Sequence, residues 1–98
     1  MNVKRILYSE CIRIYEVKES FIESLNELGL IKVEDSEDDK FIEYENIDTL
    51  EQFVRWHNEM DINVEGIEAL HYMLERVRNL QIEIEQLQNE LRFYKSIL

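Results

Sequence analysis

The strongest constraint on this chain is a heptad repeat of apolar residues that runs through residues 70–98. When Leu70 is taken as position a, each a and d position up to Leu98 carries an apolar or aromatic side chain. The a positions are Leu70, Val77, Ile84, Leu91 and Leu98, and the d positions are Met73, Leu80, Leu87 and Tyr94. An unbroken repeat of this length predicts one long helix with a narrow coiled-coil seam on one side.

This seam needs a partner, because a chain of 98 residues cannot cover it along its full length. Ile67 and Leu74 add a second apolar row only near the start of the helix, where we expect it to pack on the rest of the chain. We assign six residues to an oligomerisation seam: Val77, Leu80, Ile84, Leu87, Leu91 and Tyr94. A homodimer through a two-helix coil is the first interpretation, and docking of another protein's helix is the second. The flanking charges of Arg76, Glu83 and Glu90 are too few to choose a helix orientation.

Two short helices joined by a tight turn are predicted near the start of the chain. Ser9 is a candidate N-cap for the first helix, and Val17 fills the turn. The second helix, from about 18 to 28, carries one apolar stripe formed by Phe21, Ile22, Leu25 and Leu28. Gly29 stands where a left-handed residue ends a helix, and Leu30 can fold back on the last turn.

A β-hairpin with an acidic tip is predicted next. Its two strands are indicated by β-branched and aromatic residues, namely Ile31, Val33, Phe41, Ile42 and Tyr44. The segment EDSEDD lies between these strands. A hairpin behind a pair of short helices is typical of the wing of a winged helix-turn-helix.

A third helix is predicted from Asp48, which forms an acidic capping box with Glu51. Its apolar residues at helical spacing are Leu50, Phe53, Val54, Trp56 and Met60, and we expect Arg55 and His57 to face water.

The segment DIN then breaks the helical pattern before the long helix begins. Asn63 is the predicted N-cap of that helix, and Gly66 lies in its first turn. Because glycine weakens a helix, we expect another backbone to approach closely at Gly66.

The fold class that these elements predict is mainly α. We expect a winged helix-turn-helix with a short β-hairpin wing and a long C-terminal coiled-coil helix. Residues 1–62 would form the head with its third helix, and residues 63–98 the long helix of the same single domain.

The net charge of −11 is unevenly distributed along the chain. Residues 18–62 hold four basic and fourteen acidic side chains, whereas residues 63–98 hold four basic and six acidic ones. The acidic side chains therefore concentrate where a DNA-binding protein places its recognition helix and wing.

No enzyme, cofactor or metal site is predicted from this sequence. There is no pair of nucleophile and base and no glycine-rich phosphate loop. Cys11 is the single cysteine, predicted to be buried on the first helix, and His57 and His71 lack ligands at zinc spacing. With neither a membrane-length apolar run nor a signal peptide, we expect a cytoplasmic protein that binds no membrane.

The order of helix, turn, helix, hairpin, helix and long terminal helix resembles the MerR-like winged-helix superfamily, whose members pair through the long helix. Within it, the segments SFIESLNELGLIKV and LEQFVRWHNEMDINVEGIEALHYMLERVRNLQIEIEQLQNELRFY resemble the CbpM chaperone-modulator family, the branch without a sensor domain. The residues that carry the resemblance are Phe21, Ile22, Leu25, Gly29, Leu30, Ile31, Arg55, Ile62, Asn63, Gly66, Ile67, Leu74 and Leu80. The segment INVEGI is its most specific part.

The resemblance implies a regulator of co-chaperones. CbpM-like proteins bind the J-domain of a DnaJ-type partner, CbpA, and block its work with its chaperone. J-domains present a basic helix, so an acidic competitor is physically sensible. The candidate partner-binding residues are Glu19, Glu23 and Glu27 on the second helix and Asp35, Glu37, Asp38 and Asp39 on the hairpin. The alternative for each of them is a solvated acidic face that maintains solubility.

The alternative function is a MerR-type DNA-binding transcriptional regulator. Such a protein needs basic residues on its recognition helix and wing to neutralise phosphates. The second helix offers only Lys18, and the hairpin offers Lys32 and Lys40 among many carboxylates. DNA binding would then rest on Lys4, Arg5 and Arg13, and we do not expect it.

Overall fold

The computed structural model describes residues 4–44 and 47–98. Its elements in chain order are β1 (Lys4–Leu7), α1 (Tyr8–Tyr15), α2 (Glu19–Glu27), β2 (Lys32–Asp35), β3 (Lys40–Tyr44), α3 (Ile47–Asn58) and α4 (Val64–Ile97). The chain forms two compact units, one up to Glu68 and the other from Ala69 to Leu98. The order of elements confirms the predicted winged helix-turn-helix with a long C-terminal helix.

The helix-turn-helix consists of α1 and α2. Glu16 adopts left-handed backbone angles in the turn, and Val17 is buried there as predicted. The prediction of Ser9 as an N-cap is wrong, because α1 already begins at Tyr8, with Leu7 at the cap position and no side-chain capping bond. Strand β1 leads directly into α1, and the burial of Tyr8 draws this first turn into the core.

Helix α2 ends as the sequence predicted. Gly29 has a φ of 77°, the left-handed conformation that glycine adopts without steric cost. The Leu30 N–H donates to the Leu25 carbonyl at 3.0 Å, and the Gly29 N–H donates to the Asn26 carbonyl at 3.0 Å. This pair of bonds is a Schellman motif, and it satisfies carbonyls that the helix end would leave without partners.

The wing is a three-stranded antiparallel sheet in the order β1-β3-β2. The two predicted strands are present as β2 and β3, but the sequence did not reveal β1. In this register Ile42 lies between Ile6 and Val33, and one residue further Glu43 lies between Arg5 and Lys32. The sheet therefore has an apolar row on its inner face and a charged row on its outer face.

The predicted capping box of α3 is wrong, because the helix starts at Ile47 and Asp48 lies inside its first turn. A carboxylate at this position still stabilises the helix through the positive end of the helix dipole. The position before Ile47 lies outside the described residues. The helix ends at Asn58, and Met60 is exposed instead of continuing the apolar stripe. Asp61 follows with a φ of 58°, which confirms the break between the helices.

His57 does not face water as expected. Its ring stacks on Phe21 of α2 with 4.1 Å between ring centroids and 17° between planes. Its Nδ1 lies 3.3 Å from the Ile62 carbonyl oxygen. The side chain therefore links α2, α3 and the turn before α4, while Arg55 is exposed as predicted.

The start of α4 confirms Asn63 as the N-cap, since its Oδ1 accepts the Gly66 N–H at 2.8 Å. The expected reason for Gly66 is wrong, because a side chain and not a backbone lies against it. A Cβ at Gly66 would come within 2.7 Å of Cγ2 of Ile62 and 3.1 Å of the Asn63 Oδ1. Glycine is needed at this position because the β-branched Ile62 occupies the space.

The core of the first unit is formed by apolar side chains from all its helices and from the sheet. Its fully buried members are Cys11, Ile22, Leu25, Ile42, Leu50, Phe53 and Ile67. Burial raises the pKa of the Cys11 thiol to about 11, so this cysteine is a packing residue, as predicted. Among the described residues no helix is both long and apolar enough to cross a membrane.

Candidate functional site

The seven acidic candidates lie on α2 and on the β2–β3 hairpin of the first unit. Glu19, Glu23 and Glu27 belong to α2, Asp35 ends β2, and Glu37, Asp38 and Asp39 form the loop to β3. Six of these side chains are exposed, and Glu23 is half-buried. Their placement therefore leaves six carboxylates in contact with solvent and one engaged within the fold.

The Glu23 side chain connects α2, to which it belongs, with α1 and the wing. Its Oε1 accepts the Tyr8 hydroxyl at 3.0 Å and lies 3.5 Å from the Lys40 Nζ. The Lys40 ammonium also lies over the Tyr8 ring, 5.0 Å from the centroid. Burial, followed by the hydrogen bond to Glu23, raises the pKa of Tyr8 well above its ordinary value. Glu23 thus has a structural role that the sequence did not indicate.

The tip of the wing is a four-residue loop closed by its first and last residues. The backbone N–H of Ser36 donates to the Asp39 carbonyl at 2.8 Å, and the Ser36 hydroxyl donates to the same oxygen at 2.9 Å. Glu37 and Asp38 lie between these residues with exposed side chains. The tip is therefore a surface of carboxylates without an apolar component.

Two basic residues of the wing, Arg5 and Lys32, contact carboxylates of the same sheet. Arg5 contacts Glu34 at 3.1 Å and Glu43 at 3.4 Å, and Lys32 contacts the same two residues at 3.3 and 3.8 Å. The pKa of Glu34 is lowered by its hydrogen bonds to Glu43 and Lys32 and by the charge of Arg5. Two of the cations that a DNA-binding wing would turn to phosphates are thus paired with carboxylates of the sheet, while their own side chains stay more than half exposed.

A groove lies between α1 and α3, and the sequence did not indicate it. Its volume is about 560 Å³, and Ile14, Tyr15 and Val54 supply its apolar surface. Ile14 is 53% exposed, although α1 otherwise turns its large apolar side chains inward. The groove therefore offers an uncovered apolar side chain inside a concave surface.

Two hydrogen bonds hold the walls of this groove together. The Tyr15 hydroxyl donates to Oε1 of Glu51 at 3.1 Å, and Nδ2 of Asn58 donates to the Tyr15 carbonyl at 3.0 Å. Burial and the bond to Glu51 raise the pKa of Tyr15 to about 12. The phenol is therefore protonated and able to donate at neutral pH.

The charged residues around the groove are mostly acidic. Asp48, Glu51 and Glu59 of α3 and the turn after it line it together with one cation, Arg55. The spacing of 48, 51, 55 and 59 places these residues on one side of a helix. These charged side chains form the rim of the groove, and their spacing is the signal in the sequence that could have identified it. The packing of α3 against α1 could not be predicted from this spacing.

The predicted oligomerisation seam is exposed along the second unit. The exposed fraction of its six residues ranges from 44% for Leu80 to 65% for Tyr94. Ile82 and Phe93, which lie off the seam, are similarly exposed. Pairing through the seam stays a prediction, because the structure contains a single chain.

Comparison with known proteins identifies the family to which the chain is similar. A family model described as MerR HTH family regulatory protein matches residues 6–89. That range contains the helix-turn-helix, the strands β2 and β3, α3 and most of α4. Neither the search of curated proteins nor the search of solved structures gave a match.

Proposed function

This chain belongs to the MerR helix-turn-helix regulatory family, and from that premise we propose that it regulates by binding a protein. The proposed partner is the J-domain of a DnaJ-type co-chaperone, and the proposed effect is inhibition of that co-chaperone. The partner class follows from the resemblance of the segments around Gly29 and Gly66 to the CbpM chaperone-modulator family. The charge of the head supports it.

The observation that carries this proposal is the pairing of the wing cations. Arg5 and Lys32 each contact Glu34 and Glu43, and Lys40 contacts Glu23. What remains exposed on α2 and the wing tip is mainly carboxylate. A surface of this sign repels phosphates and attracts a basic protein surface such as a J-domain helix.

Charge complementarity of this kind acts mainly on the association rate and on partner choice. Exposed carboxylates are screened by salt over about 8 Å at physiological ionic strength. The proposed complex should therefore weaken as the salt concentration rises.

DNA binding by a MerR-type transcriptional regulator is the second candidate, favoured by the description of the matching family. It would need cations directed at phosphates. Of the three cations that the sequence left for this role, Arg5 is paired with Glu34 and Glu43, and Arg13 is paired with Glu10. Only Lys4 stays outside these pairs.

The long helix completes the proposal. We propose that two copies of the chain pair through the a/d seam of α4, which would bury apolar side chains that a single chain leaves in water. A homodimer would present two acidic heads to its partners.

Binding to an isolated J-domain tests the proposed function. We expect fluorescence anisotropy to detect a complex with J-domains from the same genome, with a Kd that rises with salt. In an electrophoretic mobility assay at about 50–100 mM salt, random-sequence DNA should not be retarded. Retarded DNA together with no J-domain complex would reverse the order of the two candidates.

A variant of the wing sharpens this comparison. Glu34→Gln combined with Glu43→Gln removes the carboxylates that hold Arg5 and Lys32. If those pairs are what prevents phosphate contacts, the variant should bind random-sequence DNA more tightly than the original chain. Equal DNA binding by both proteins would show that the wing pairs are not the cause.

A further inference from the structure

We propose that the groove between α1 and α3 seats a lysine- or arginine-rich amphipathic helix of the partner protein. This inference rests on the proposed function, because it takes the partner to be a basic protein surface. It goes beyond that function in locating the contact away from the wing tip and α2, where the sequence placed it.

The apolar part of the groove supplies the first argument. Ile14 is 53% exposed beside Val54 and the Tyr15 ring, so a docked side chain would remove its surface from water. Burial of apolar area is the main source of affinity in protein association, and buried anchors near the centre carry most of it. At the wing tip, by contrast, Glu37, Asp38 and Asp39 offer no apolar contact.

The charge of the rim supplies the second argument. Among the described residues that line the groove, Asp48, Glu51 and Glu59 outnumber the cation Arg55. An amphipathic helix that places apolar residues on the floor would present its flanking lysines or arginines to these carboxylates. An acidic helix or nucleic acid would meet the same carboxylates with repulsion.

The hydrogen bonds between the walls of the groove supply the third argument. The Tyr15 hydroxyl bond to Glu51 and the Asn58 bond to the Tyr15 carbonyl join its two walls before any partner arrives. A preformed surface loses less conformational entropy on binding than a mobile one. The groove is open to solvent, and its volume of about 560 Å³ lies in the range of roughly 300–1,000 Å³ that is typical of ligand clefts.

Two charge reversals at exposed positions test the location. Glu59→Lys changes the rim of the groove, and Asp38→Lys makes the same change of charge at the wing tip. Each variant should keep its helical content by circular dichroism, because both side chains are exposed. We expect the Kd for the isolated J-domain to rise at least ~10-fold for Glu59→Lys and less than ~3-fold for Asp38→Lys.

The apolar floor is tested separately with Ile14→Ser. Because this change leaves the net charge unaltered, we expect a weaker complex whose salt dependence equals that of the original chain. An unchanged Kd would exclude Ile14 as an anchor and would overturn the assignment of the floor.

The outcomes distinguish the groove from the proposed function. If the J-domain binds and the two charge reversals weaken it equally, the groove is wrong and the function stands. If no J-domain binds, the proposed function is wrong. The groove is then tested by adding a helical lysine–leucine peptide and measuring the changes in the amide chemical shifts of this protein. Shifts confined to α1 and α3 would then support the groove, and their absence there would overturn it.

Discussion

The two compact units differ in the exposure of their apolar side chains. In the first unit Phe53 is fully buried, as are Ile22 and Ile67, so this unit has a core of its own. In the second unit Leu87 is 62% exposed and Phe93 65% exposed. The same residue types thus stabilise the first unit through internal packing, whereas in the second unit they remain in contact with water.

The charges of the two regions differ as well. Residues 18–62 carry fourteen acidic side chains against four basic ones, whereas residues 63–98 carry six against four. The acidic side chains thus lie mostly in the head, whereas most of the exposed large apolar side chains lie on the long helix. The difference teaches that one small chain can place acidic and apolar surface on different elements.

The largest effect is expected from truncating a buried phenylalanine. Phe53→Ala should lower the free energy of unfolding by about 3–5 kcal/mol, because it leaves a cavity in the core of the first unit. The matched change Phe93→Ala should stay within about 0.5 kcal/mol, because this ring is exposed. Urea unfolding measures both values, and a similar loss in the two variants would end the contrast between the units.

Charges in the predicted seam should have the next largest effect. Leu80→Asp combined with Leu87→Asp places two unpaired carboxylates in an apolar interface. We expect at least ~100-fold weaker self-association, about 2.7 kcal/mol, and a halved mass in light scattering.

The control for the seam uses the off-seam pair Ile82→Asp and Phe93→Asp. These residues are as exposed as the seam residues but lie outside the a and d positions of the heptad repeat. The control variant should keep the mass of the original chain. If both double variants keep that mass, the seam does not join two copies of this chain.

The smallest effect concerns the first turn of α4. Gly66→Ala should destabilise the protein by about 1 kcal/mol, because the clash with Ile62 Cγ2 outweighs the gain of about 0.5–1 kcal/mol in helix propensity. In an Ile62→Ala background only the approach to the Asn63 Oδ1 at 3.1 Å remains, and the same change should become stabilising. A double-mutant cycle from urea unfolding measures this sign change. Stabilisation by Gly66→Ala alone would mean that Ile62 yields without cost.

Local signals predicted much of the fold. The Schellman motif at Gly29 and the N-cap at Asn63 depend on residues a few positions apart, and both were readable from the sequence. Strand β1 was not, since four residues that pair with β3 about 38 positions later leave no local pattern. The stacking of His57 on Phe21 was missed for the same reason.

The candidate site divides in the same way. The acidic character of α2 and the wing tip was visible from composition, and six of the seven candidates are exposed. The engagement of Glu23 by Tyr8 and Lys40 depends on three elements that meet only in the folded chain. The groove between α1 and α3 likewise requires Ile14 and Glu59 to come together from distant positions.

The sequence by itself determined the helical periods, the end of α2, the start of α4 and the sign of the surface charge, because each depends on residue types at short spacing. Only the tertiary structure decided which charges are neutralised and which apolar side chains stay uncovered. Both properties depend on contacts between distant segments, such as Arg5 with Glu34 and α1 with α3. The wing therefore carries basic residues in its sequence, but folding pairs Arg5 and Lys32 with Glu34 and Glu43, while the carboxylates at its tip stay in water.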